Sequence, residues 1–72
     1  RSGKLREAEE AYLATVTSDP KVGEAYNNLA VVYMETGRYD QAEKAVKAAE
    51  KTGLKVQKAL KDEIQKRKKA GS

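Results

Sequence analysis

The side chains with chemical potential in this sequence are carboxylates, amides and cations. Glu7, Glu9 and Glu10 cluster near the start and Asp62 and Glu63 are adjacent near the end, the type of grouping that general acid–base catalysis draws on. Each of these acids has Lys or Arg close by and falls on a predicted solvent face. The sequence holds neither histidine nor cysteine. That removes the usual proton shuttle near neutral pH, the commonest metal ligand, thiolate zinc sites and a cysteine nucleophile. No serine-centred motif and no Gly-rich phosphate loop occurs. The chemistry therefore points away from an enzyme, with no catalytic residue, cofactor, metal or small-molecule substrate expected.

Binding groups are more plausible. Asn27, Val31 and Met34 are spaced as one helical stripe, and an unbranched Met adapts well at a binding surface. A second group is cationic: Lys55, Lys58, Lys61, Lys66, Arg67, Lys68 and Lys69 face only Asp62 and Glu63 within residues 54–72, while the net charge of the whole chain is +4. Such a segment can attract nucleic acid or an anionic membrane. It has no aromatic side chain to stack bases, however, and cations near a helix carboxy terminus also offset the helix dipole. A solvated end cap is the favoured reading, with nucleic acid and membrane as lesser alternatives.

Four helices must position these groups, at about residues 4–17, 23–36, 39–51 and 55–70. In the first, Leu5, Ala8, Ala11, Tyr12, Thr15 and Val16 recur at three- and four-residue steps. Ser18-Asp19-Pro20 ends it, because Pro lacks the N–H and forces Asp19 out of helical geometry. The second carries a broad stripe of Ala25, Tyr26, Leu29, Ala30, Val32 and Tyr33, with Val31 and Met34 outside it. Gly37 suits the left-handed residue that closes a helix. The third buries Tyr39, Ala42, Ala45, Val46 and Ala49 and stops at Thr52-Gly53. The fourth has a narrow stripe of Val56, Ala59, Leu60 and Ile64. The longest apolar run covers six residues, 29–34, against the roughly 20 that span a bilayer.

Shifted by 34 positions, the chain matches itself: Gly3 with Gly37, Ala8 with Ala42, Glu9 with Glu43, Ala11 with Ala45, Ala14 with Ala48, and Lys21, Val22 and Ala25 with Lys55, Val56 and Ala59. A fixed period of this kind marks stacked helix pairs. Period and residues together resemble the tetratricopeptide repeat. Tyr26 stands in its Trp position, Leu29 and Ala30 in its Leu-Gly pair and Tyr33 in its Tyr position. Gly37, Tyr39, Ala42 and Val46 follow in register, and Leu54 stands where Pro is usual. Gly3, Leu5, Ala8, Tyr12 and Pro20 fit the second half of a preceding repeat.

The resemblance implies an all-α, right-handed αα superhelix of four antiparallel helices. Residues 1–22 would be the second helix of a half repeat, 23–56 a complete repeat and 57–72 a basic capping helix. With Arg1-Ser2-Gly3 at one end and Gly71-Ser72 at the other, the chain reads as an excised or processed fragment, which the resemblance and its capping helix imply is a carboxy-terminal one. Glu63 and Ile64 depart from the pattern, falling where Leu and a small residue belong. The tyrosines read as core.

The resemblance further implies a non-catalytic protein-interaction scaffold that takes a peptide in a concave groove lined by Glu24, Asn27, Asn28, Val31, Met34 and Glu35. The partner's identity is not legible, and soluble and cytoplasmic is the default localisation. The clamp with which one subfamily holds acidic tails is only half present: Asn28 and Lys58 match, but Asp62 occupies an Arg position and would repel a carboxylate. The alternative function is architectural. Leu5, Tyr12 and Val16 lack a preceding helix to cover them, which invites homo-oligomers by head-to-tail stacking or by helix exchange about Gly37-Arg38.

Overall fold

Breakers at three internal places divide the computed structural model, which describes residues 2–71, into α1 (Ser2–Ser18), α2 (Gly23–Glu35), α3 (Tyr39–Lys51) and α4 (Lys58–Gly71). At the first break Asp19 Oδ1 accepts the Lys21 N–H at 3.0 Å, an Asx turn that carries the chain past Pro20. At the second, the Arg38 N–H reaches the Tyr33 carbonyl at 2.8 Å and the Gly37 N–H the Met34 carbonyl at 3.2 Å. This pair of bonds is a Schellman closure, which needs a left-handed residue, and Gly37 has φ of +78°. At the third, Thr52 closes the helix by its side chain: its hydroxyl donates to the Ala49 carbonyl at 2.6 Å and accepts the Leu54 N–H at 3.4 Å. A proline at position 54 could not make that second bond.

The antiparallel pair α2 and α3 forms the centre. α1 packs on α2 alone, and α4 packs on α3 and, more lightly, on α2. α1 and α3 thus form one layer and α2 and α4 the other, in a slab of 34 × 29 × 15 Å. Leu29, Ala30 and Tyr33 of α2 meet Ala42, Ala45, Val46 and Ala49 of α3 in the core, where Ala30, Ala42 and Ala49 are wholly buried. Small side chains at these positions let the helix axes approach closely. The chain approaches still more tightly at Gly23, where a Cβ would stand 2.9 Å from the Leu54 Cβ. Tyr33 is buried, and Tyr12, Tyr26 and Tyr39 are half-buried against the core.

Two expectations need correction. The fourth helix does not begin at Lys55: residues 54–57 have no regular secondary structure and α4 starts at Lys58. Val56 causes the delay, because its side chain is buried in the core and its backbone must leave helical geometry to put it there. Met34 is not outside the apolar stripe of α2; it is 7% exposed and part of the core. Smaller shifts occur at the ends, with α1 beginning at Ser2 and α2 ending at Glu35. Among the described residues no helix is long and apolar enough to cross a membrane.

Candidate interaction groove between α2 and α4

α2 and α4 run in the same direction side by side, as shown by the closeness of Gly23 to Leu54 at one end and of Glu35 to Arg67 at the other. Between them lies an open groove of about 650 Å³. Glu24, Asn27, Asn28, Val31 and Met34 line it from α2, and Leu54, Lys55, Gln57, Ala59, Leu60 and Glu63 line it from the following strap and α4. Helical geometry explains the grouping, since 24, 27, 28, 31 and 34 fall on one side of α2. Met34 forms the buried floor and Val31, 36% exposed, projects from it. Asn27, Asn28 and Gln57 supply amide donors and acceptors around this apolar strip.

Glu35, the sixth residue placed in the groove by resemblance, does not line it. Its carboxylate stands 3.8 Å from Arg67, whose Nε also donates to Glu63 Oε2 at 2.8 Å. Arg67 thereby ties the end of α2 to α4, and its guanidinium beside Glu63 holds that carboxyl below the ordinary range. The half-clamp for acidic tails is disabled on α4 itself, where Lys58 Nζ lies 3.6 Å from Asp62.

The cations of α4 are largely engaged in docking it. Lys61 donates to Glu50 at 2.7 Å, and Lys68 bridges Asp40 at 3.0 Å and Glu43 at 3.1 Å. Gln65 donates to the same Glu43. Hydrogen bonds from Gln65 and Lys68 keep the Glu43 carboxyl below its usual range. Ile64 is the one apolar anchor of α4 that is fully buried, at 1% exposure. It stands where the repeat register puts a small residue, so α4 is held off at side-chain distance and makes a thin contact.

The acidic cluster of α1 also proves structural. Glu9 takes a two-pronged ion pair from Arg38, with Nη1–Oε2 3.0 Å and Nη2–Oε1 2.5 Å. The same guanidinium donates from Nε to the Thr36 hydroxyl and lies 4.9 Å from the Tyr33 ring centre. The Arg38 hydrogen bonds push the Glu9 carboxyl below its ordinary pKa, which suits a permanent anion and not a general acid. Glu7 and Glu10 are exposed. No group of three or more acids among the described residues is placed to hold a metal.

Of the side chains expected to lie bare on α1, Tyr12 and Val16 are half-buried against the core. Leu5 is half-buried beside Thr36 and Arg38. The exposed large apolar residue of α1 among the described residues is Leu13, at 39%, which lies off the stripe of Tyr12 and Val16.

Antiparallel helix pairs stacked in two layers define a helical-repeat protein. The family model described as Tetratricopeptide repeat matches residues 1–53, and the chain belongs to that family. Tetratricopeptide repeats in general mediate protein–protein interaction and are typically non-catalytic scaffolds. No curated protein and no solved structure matches the chain.

Proposed function

We propose that the chain is a non-catalytic interaction module that holds an extended or helical peptide in the groove between α2 and α4. One observation carries this reading: five residues named from the repeat pattern, Glu24, Asn27, Asn28, Val31 and Met34, line a single groove with an apolar floor and an amide rim. A peptide there would bury apolar side chains against Val31, Met34 and Leu60, while Asn27, Asn28 and Gln57 take its backbone polar groups. On this reading residues 23–56 are the complete repeat, 1–22 the half repeat before it and 57–72 the cap, which doubles as the groove's second wall.

The test is a peptide-library selection followed by amide-shift mapping of the selected peptide. Shifts should concentrate at Asn27, Asn28, Val31 and Leu60. Val31→Glu should weaken binding at least tenfold while the circular dichroism spectrum is retained, because Val31 is exposed. Met34→Glu is the wrong probe, since it places a charge in the core and should unfold the chain. A selected peptide that shifts other surfaces, or binds Val31→Glu as well as the wild type, would overturn the proposal.

A further inference from the structure

On the other side of α2, in the layer of α1 and α3, lies a second hollow. The backbones of α1 and α3 stand apart, and the trough of about 300 Å³ between them is floored by Tyr26, Leu29 and Tyr33. Positions 26, 29 and 33 point away from 24, 28 and 31 at 100° per residue, so the trough and the peptide groove lie back to back. Its α3 wall is Gln41, Lys44, Ala45 and Ala48, the two alanines leaving the hollow open between the longer polar side chains. Leu13 stands on its α1 wall, exposed.

We infer that this face pairs with the same face of a second copy, giving a two-fold dimer in which Leu13 of each chain seats in the other's trough against Ala45 and Ala48. Two features single out a second copy as the occupant. The first is shape: a projecting aliphatic side chain and a hollow deepened by two alanines share one surface, which is what a two-fold contact requires, since each partner must offer both halves. The second is charge. Glu10 is exposed on α1 one turn before Leu13, just outside the trough, and Lys44 lines the trough from α3. Neither has an ionic partner among the described residues. Crossing α1 of one copy over α3 of the other brings acid to base twice, once for each half of the dimer.

This inference does not rest on the peptide reading. If both hold, the dimer carries its two peptide grooves on its outer sides, and a ligand with two binding segments gains avidity through the effective concentration of the second site.

Sedimentation equilibrium from micromolar to millimolar chain supplies the test. The mass should rise from that of one 7.9 kDa chain to that of two. Leu13→Glu should stay monomeric to the highest concentration with an unchanged circular dichroism spectrum. Lys44→Glu should weaken dimerisation at least tenfold, and Glu10→Lys combined with Lys44→Glu should restore it, a rescue that unspecific hydrophobic association does not give. A wild-type chain that remains a monomer throughout, a Leu13→Glu chain that dimerises like wild type, or a charge swap without rescue would each overturn the dimer. The first result would leave the trough to a different protein, and the second would move self-association to another face.

Discussion

Removing the apolar anchor of α4 should detach that helix while leaving the other three folded. Ile64 is fully buried, and truncation of such a residue to Ala costs about 2–5 kcal/mol. The rest of α4's attachment consists of half-buried Leu60 and ion pairs whose side chains are substantially exposed, such as Lys61–Glu50 at 43% and 40%. Pairs of this type are individually weak. The whole chain has about 4–11 kcal/mol to lose, taking about 0.05–0.15 kcal/mol per residue. In Ile64→Ala, therefore, the docking of α4 is lost before the packing of α2 on α3. Amide hydrogen exchange reads the difference. A loss of 2 kcal/mol lowers protection about 30-fold, enough to bring α4 amides close to unprotected exchange while α2 and α3 amides stay slow, and the helical dichroism should fall by the share of the 14 residues of α4. Raising salt from 0.1 M to 1 M shrinks the screening length from about 10 Å to about 3 Å and should speed α4 exchange selectively in the wild type. If α4 exchanges in step with α2 and α3 in both proteins, the helix is part of one cooperative unit and the reasoning is wrong.

Gly23→Ala should lower the melting temperature, because its methyl group would collide with Thr52 and Leu54 and overpacking costs about 1–3 kcal/mol; an unchanged or higher melting temperature refutes the close approach. A double-mutant cycle on Glu9→Ala and Arg38→Ala should give a coupling of about 0.5–1 kcal/mol, reduced by solvent screening because the Arg38 side chain is 37% exposed; zero coupling would mean that the pair merely coexists. Acid should destabilise the fold through Glu9 and Glu43, whose folded pKa values are both depressed. Their contribution is complete above the ordinary Glu value of about 4.3 and is lost as pH falls through the depressed folded values. Urea titrations at falling pH should show a shallower loss in Glu9→Gln than in wild type, and equal slopes would contradict the assignment.

How much of this could be read in advance differs element by element, for physical reasons. α3 was legible to the residue, because its buried positions recur strictly at three and four and Arg38 and Thr52 bound it. The start of α4 was not, although Lys55, Val56 and Gln57 have adequate helix propensity. The 34-residue register came within one residue of the answer, since Val22 directly precedes α2 and its counterpart Val56 lies two residues before α4. Met34 lies at the edge of the α2 stripe in spacing, yet it is buried in the core and shares a hollow with Leu54 and Leu60, neighbours that spacing along α2 does not reveal. The pairing of Arg38 with Glu9 spans 29 residues and depends on how α1 crosses α2, which no local pattern encodes. Five of the six residues expected on that face share one hollow because a helix face survives any choice of neighbour; Glu35 stands instead beside Arg67 on another helix.

The cations of the last helix show how one segment that suggests a charged patch can also spend its charge within the chain. Seven positive side chains in 54–72 suggest a surface for polyanions, yet Lys58, Lys61, Arg67 and Lys68 each meet a carboxylate of this chain. Three of the four reach across to α2 or α3, so their charge serves to dock a helix with only one deeply buried anchor. That helix is also the second wall of the proposed groove. A peptide touching both α2 and α4 binds only the docked state, and must therefore stabilise docking by the same free energy that undocking subtracts from its affinity. It follows that even an uncharged peptide should bind more weakly as salt rises, without any ionic contact of its own, and that it should slow amide exchange in α4 beyond the residues it touches. Salt-independent binding of an uncharged peptide, together with unaltered α4 exchange, would separate the groove from the cap.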